Sequence, residues 1–84
     1  MNYSIKLEKT AFKSLAKINK PDRVKIINAI DKLKKNSELG KPLTGKWKGL
    51  KRLRSGNYRI IYGVKDTELI ILVVRIGHRR DIYR

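Results

Sequence analysis

The sequence predicts an α+β domain in the order strand, helix, helix, strand, strand, strand, with a helical hairpin packed on a mainly antiparallel four-stranded sheet. Three observations predict it. Apolar and polar residues alternate over residues 3–7, apolar residues recur at three- and four-residue steps from Ala11 to Leu33, and strand-like runs return from Leu50 to Ile76. Helices and strands therefore come in separate groups, the mark of an α+β rather than an α/β chain. With 84 residues, a chain buries only about 60 to 65% of its unfolded surface and supports one core, so residues 1–84 are expected to form a single domain.

Each element has its own signal. Tyr3, Ile5 and Leu7 alternate with Ser4 and Lys6, the period of a strand with one buried face. Ala11, Phe12, Leu15 and Ile18 line one face of a short helix and leave Lys13 and Lys17 in water. Asn19-Lys20-Pro21-Asp22 interrupts that period and starts a second helix, with Pro suited to the first turn and Asp to its positive dipole end. Val24, Ile26, Ile27, Ala29, Ile30 and Leu33 then fill a broad apolar arc. From Asn36 to Gly49 periodicity is poor and turn residues abound, which predicts a loop. Leu50 to Arg54 predicts a short strand ended by Ser55-Gly56-Asn57. Tyr58 to Val64 predicts the next strand, and a turn at Lys65–Glu68 leads into Leu69–Ile76. Leu69 to Val74 is apolar on both faces, as in an interior strand of the sheet.

Charge narrows the function. Lys and Arg number 22 against 7 Asp and Glu, a formal net charge of +15, and such self-repulsion favours a polyanionic or acidic partner. Nucleic acid ranks first because phosphate neutralisation releases counterions; an acidic protein ranks second and an anionic membrane third. No basic amphipathic helix with bulky aromatics favours a membrane surface, and no apolar run is long enough to span a bilayer. The amino terminus lacks the apolar core of a signal peptide, so a cytoplasmic location is expected. Cysteine is absent and histidine occurs once, so no disulfide, no metal site and no cofactor is expected.

The positive charge is concentrated. Between Leu39 and Lys65 there is no acidic residue, whereas Lys41, Lys46, Lys48, Lys51, Arg52, Arg54, Arg59 and Lys65 all lie there. Strand alternation puts Arg52 and Arg54 on one face, and the following strand can bring Arg59 near them. Arginine's planar fork suits phosphate. With Ile76-Gly77-His78-Arg79-Arg80-Asp81-Ile82-Tyr83, these strand ends gather cations, one imidazole and one phenol, a constellation suited to gripping and cutting an RNA phosphodiester. The bland alternative is a solvated lysine-rich surface.

The run from Lys41 to Tyr62, Lys-Pro-Leu-Thr-Gly-Lys-Trp-Lys-Gly-Leu-Lys-Arg-Leu-Arg-Ser-Gly-Asn-Tyr-Arg-Ile-Ile-Tyr, with Ile-Gly-His-Arg-Arg-Asp-Ile-Tyr from Ile76, resembles the RelE branch of the RelE/ParE toxin superfamily. The resemblance implies a toxin of a type II toxin–antitoxin pair that enters the ribosomal decoding site and cuts mRNA. It also implies a cognate acidic, RelB-like antitoxin, with the free toxin a monomer and the silenced form a hetero-oligomer. By the same resemblance Arg59 holds the scissile phosphate, Arg79 assists the leaving group or transition state, and Tyr83 stacks on or aligns the substrate. Arg52 stands where the family commonly carries a lysine of a basic pair, and the companion position is Leu50.

That departure bears on proton transfer. An arginine, with a pKa above about 12, is a poor general base, so Lys51, Lys48 or His78 is left to take the proton, His78 being favoured. Arg52, Arg59, His78, Arg79 and Tyr83 are thus the candidate catalytic residues, and Lys46, Lys48, Lys51, Arg54 and Arg80 the RNA-binding ones. Each has a plainer alternative: a cross-strand ion pair with Glu68 for Arg59, a hydrogen-bonded turn residue for His78, a solvated tail holding Asp81 for Arg79 and Arg80, and a ring packed on the sheet for Tyr83. Tyr58 and Tyr62 read as packing partners on one strand face. Trp47 reads as a loop anchor or a base-stacking surface. The rival functions are a ParE-type inhibitor of DNA gyrase without nuclease activity and a non-enzymatic RNA-binding protein.

Overall fold

The computed structural model describes residues 2–83. Strand β1 (Ser4–Leu7) leads into helices α1 (Lys9–Lys17) and α2 (Lys20–Lys32). Strands β2 (Lys41–Pro42), β3 (Lys51–Ser55), β4 (Tyr58–Lys65) and β5 (Ile70–His78) follow, with a 3-10 turn at Gly45–Trp47. The sheet order is β1-β5-β4-β3-β2; β1 runs parallel to β5 and every other pairing is antiparallel. The sheet therefore has five strands where the sequence predicts four. The extra strand is two residues long, contains Pro42, and pairs only Lys41 with Arg52 and Pro42 with Lys51. An edge position is where a sheet tolerates proline, and two residues are too few to show a period.

The helices form because their apolar faces have a sheet to cover. Asn19 caps α2, its side-chain oxygen accepting the Asp22 backbone N–H at 3.1 Å, with Pro21 in the first turn. Ile26, Ile30 and Leu33 of the second helical segment pack with Ala11 and Ile18 against Ile60, Tyr62, Ile71, Val73 and Ile76 of the sheet. Ile26 and Leu33 are fully buried, each contributing about 1.5–3 kcal/mol of apolar transfer.

The register between β4 and β5 decides which side chains reach the opposite face. Val64 pairs with Ile71 and Tyr62 with Val73, but the next pair is Ile61 with Arg75, so Val74 is an extra residue, a β-bulge. Beyond it Ile60 pairs with Ile76 and Tyr58 with His78, all on the helix-covered face, while Arg59 pairs with Gly77 and Ile61 with Arg75 on the other. Uninterrupted alternation from Ile71 and Val73 would drive Arg75 into the core and turn Ile76 and His78 outward. The bulge prevents this.

Candidate anion-binding face

The face away from the helices carries the charge. Leu53 pairs with Ile60 toward the core, so the flanking Arg52 and Arg54 pair with Ile61 and Arg59 on the outer side. Gly56, in the left-handed region at φ 59°, lets β3 turn tightly into β4. The Arg59 guanidinium folds back onto this turn, its Nη1 donating to the Gly56 carbonyl at 3.0 Å and to the Tyr58 carbonyl at 3.0 Å.

The carboxyl-terminal tail then crosses the same face. The Arg79 N–H donates to the Asn57 carbonyl at 2.7 Å, tying the tail to the hairpin turn beside Arg59. Ile82 is 2% exposed and lies over Gly77, where a β-carbon would come within 3.2 Å of its Cδ1. Arg75 donates from Nη1 to the Ile82 carbonyl at 3.1 Å, and its guanidinium lies 5.2 Å from the centre of the Trp47 ring. Trp47 meets Tyr83 edge to face at 6.3 Å, with Lys46 5.5 Å from the same indole. Trp47 thus anchors its loop to the tail rather than to the helix-side core.

Electrostatics report the convergence. Burial, then the charges of Arg54, Arg52 and Arg79, hold the Arg59 guanidinium below its ordinary pKa, with Tyr83 acting in the opposite sense. Arg52, Arg54, Arg59, Arg79 and Tyr83 consequently share one electrostatic neighbourhood. Lys34–Asp31 and Lys51–Glu38 pair at 2.9 Å each, and neither pair includes Arg52, Arg54, Arg59 or Arg79. Arg59 does not pair with Glu68. Gathered guanidinium groups make this face a candidate receptor for an anion, since arginine's fork matches phosphate.

Two residues expected to manage a proton stand elsewhere. His78, on the helix-covered face, meets Tyr58 edge to face at 5.6 Å and accepts the Arg80 backbone N–H on Nδ1 at 3.2 Å. It lines a cleft of about 440 Å³ with Thr10, Ser14 and Lys17 of α1. The bulge at Val74 is the physical cause of this placement, and the hydrogen-bonded turn reading of His78 describes it. Lys51 pairs with Tyr62 in register and is engaged by Glu38, whose hydrogen bond raises its pKa. Lys48 and Arg80 are exposed at the end of the 3-10 turn and in the tail. Tyr58 and Tyr62 serve packing: the buried Tyr62 hydroxyl donates to the Ser37 carbonyl at 2.8 Å and accepts the Gly40 N–H at 2.9 Å, pinning the segment before β2.

Arg75 belongs to this face although no role falls to it from the sequence. Its signal is present there, since it is the one charged residue between Leu69 and Ile76. Only the bulge tells which face it takes.

Fold and face together define a small α+β protein with an arginine-lined candidate anion-binding surface. The family model described as ParE toxin of type II toxin-antitoxin system, parDE, matches residues 5–83. Toxin RelG of Mycobacterium tuberculosis is 32% identical over 90 residues, covering 100% of this chain and 99% of the relative. A putative RelE-like toxin protein of Escherichia coli is 30% identical over 90 residues, covering 99% and 92%. Among solved structures, the RelBE2 toxin–antitoxin complex from M. tuberculosis aligns with a TM-score of 0.86 at 26% identity, over 94% of this chain and 100% of that one. The archaeal RelE–RelB complex from Pyrococcus horikoshii aligns at 0.75 and 26%, over 96% and 99%. The chain belongs to the RelE/ParE superfamily of type II toxin–antitoxin toxins.

Proposed function

We propose that this toxin is a ribosome-dependent endoribonuclease that cuts mRNA in the decoding site by metal-free attack of the 2′-hydroxyl on the adjacent phosphorus. The observation that carries the reading is the grouping of Arg52, Arg54 and Arg79 around Arg59 on one face: Arg54 pairs with Arg59 across β3 and β4, and the Arg79 N–H is tied to Asn57 in the turn beside it. In this scheme Arg59, Arg52 and Arg79 hold the scissile phosphate and the charge that develops on the phosphorane. Tyr83 aligns the nucleotide, while Lys46, Lys48, Arg54 and Arg80 neutralise neighbouring phosphates. The 2′-oxygen loses a proton as it bonds to phosphorus, and the 5′-oxygen leaves with one. With His78 and Lys51 engaged on the other side of the sheet, those transfers are left to Lys48, the Tyr83 hydroxyl or water, and positioning by the ribosome supplies what an acid–base pair would.

The same reading assigns partners and place. Relatives are seen as RelB–RelE complexes, and a RelB-like acidic antitoxin suits a +15 chain. Phe12 of α1 and Val24 and Ile27 of α2 are exposed apolar side chains, 63%, 45% and 47% accessible, that an antitoxin helix could cover. A ribosomal target makes the working compartment the cytoplasm.

Brief induction followed by sequencing of mRNA ends tests the function, with fragments ending inside codons expected. The ParE description of the family model favours a second reading, gyrase inhibition, whose signature is DNA breaks and an SOS response with intact mRNA. Harmless overexpression refutes both and leaves a non-enzymatic RNA-binding protein.

A further inference from the structure

Four successive backbone amides of the tail are held at the end of β5. The Arg79 N–H goes to Asn57, the Arg80 N–H to the ring Nδ1 of His78, and the Asp81 and Ile82 N–H groups to the His78 carbonyl at 2.8 and 3.0 Å. The His78 ring is fixed in turn against Tyr58. Accepting the Arg80 amide requires a lone pair on Nδ1, so in this arrangement that nitrogen carries no proton. This turn leads to three contacts on the arginine face: Ile82 seated over Gly77, Tyr83 against Trp47, and Arg79 beside Arg59.

We propose that His78 is a positioning residue whose working atom is Nδ1 as a hydrogen-bond acceptor: it sets the turn that aims Arg79 and Tyr83 at the phosphate held by Arg59. The activity half of this inference rests on the ribonuclease reading above; the placement half does not. An acceptor at the Nδ1 position is matched by the side-chain oxygen of asparagine, whereas glutamine carries its amide about where Nε2 sits. All replacements forgo the ring packing against Tyr58.

The test compares His78→Asn, His78→Gln and His78→Ala in the full chain, reading ribosome-dependent cleavage, amide exchange at residues 80–82 and the emission of Trp47, the single tryptophan. Asparagine is expected to keep slow exchange, wild-type emission, the wild-type pH profile and turnover within about threefold of wild type. Glutamine and alanine are expected to exchange fast, shift the emission and lose about tenfold or more in turnover, since displacing reacting groups by about an ångström is enough. A proton-transfer role makes asparagine as inactive as glutamine with a changed pH profile, and a pure packing role makes all three alike; either outcome overturns the proposal. If no variant and no wild type cuts RNA, the ribonuclease reading falls, and exchange and emission still decide the placement.

Discussion

Arg59→Ala separates the charge of the anion-binding face from its architecture. In the folded protein partial burial and the charges of Arg54, Arg52 and Arg79 disfavour the charged guanidinium, so its removal relieves repulsion. Against that relief stand two hydrogen bonds from Nη1, to the exposed Gly56 carbonyl and the part-buried Tyr58 carbonyl, each contributing about 0.5–1.5 kcal/mol net. Water can replace the protein donor at both carbonyls, so the balance is a change within about 1 kcal/mol, or about 4–8 °C in Tm for a domain of this size. Catalysis behaves differently. Losing one preorganised donor to a developing oxyanion costs about 10²–10³-fold, so growth arrest and mRNA cleavage on translating ribosomes are expected to disappear while the cooperative thermal transition stays. Phosphate or sulfate is expected to raise the Tm of the wild type, by binding the folded state, and to raise that of the variant less. Arg59→Lys, which keeps the charge and loses the fork, is expected to fall between. A folded Arg59→Ala protein with undiminished toxicity refutes the reasoning and removes Arg59 from the site.

Other perturbations probe the parts that hold this face. Tyr62→Phe leaves the Gly40 amide and the Ser37 carbonyl without their buried partner and is expected to cost about 1–3 kcal/mol in denaturant unfolding, with toxicity retained. Burial raises the Tyr62 pKa, so its neutral form is favoured in the folded state; the associated stability is present below the ordinary phenol value of about 10 and is lost as pH rises beyond it. Tyr62→Phe should therefore lose less stability than wild type between neutral and strongly alkaline pH, and an unchanged loss removes Tyr62 as its source. Gly77→Val puts a branched side chain where Ile82 crosses, a β-carbon alone meeting Cδ1 at 3.2 Å; Trp47 emission should shift and toxicity fall while the helix-side core persists by circular dichroism. Replacing Lys46, Lys48, Arg54 or Arg80 by alanine should reduce the slope of log affinity against log salt for single-stranded RNA by about 0.7 for each phosphate the side chain neutralises, and an unchanged slope places that residue outside the RNA path.

The fold was readable because most of each period coincided with burial: the alternation at Tyr3–Leu7 and Ile26, Ala29, Ile30 and Leu33 of the helical arc face one core, whereas Phe12, Val24 and Ile27, expected on the apolar faces, are exposed. What escaped was set by pairing. Lys41–Pro42 is a strand only because β3 offers it an edge. The grouping of Arg52, Arg54 and Arg59 followed from alternation plus a tight turn at Gly56, both local signals. His78 and Arg75 exchanged faces because Val74 is an extra residue in β5, and nothing in Leu72-Val73-Val74-Arg75 marks which residue bulges out of the ladder. The side of the sheet taken by a residue downstream of a bulge depends on one register step, which hydrophobicity alone does not fix where both faces of the strand are apolar.

The bulge joins stability to function in one residue. Upstream of Val74, Ile71 and Val73 close the core against the helices; downstream, Ile76 keeps that core closed while Arg75 and Gly77 turn to the arginine face. Arg75 can then reach Trp47 and the Ile82 carbonyl, and Gly77 leaves room for Ile82 to cross. The tail carrying Arg79 and Tyr83 is therefore held by groups that a regular strand would have buried or pointed away. A face assembled this way keeps its guanidinium groups close, at a cost in repulsion that the helix-side core has to offset. Added negative charge relieves that repulsion, and on the function proposed above an RNA phosphate and an acidic antitoxin would both supply it. Competition between the two for one set of arginines would make silencing and substrate binding mutually exclusive without any change in the toxin's fold.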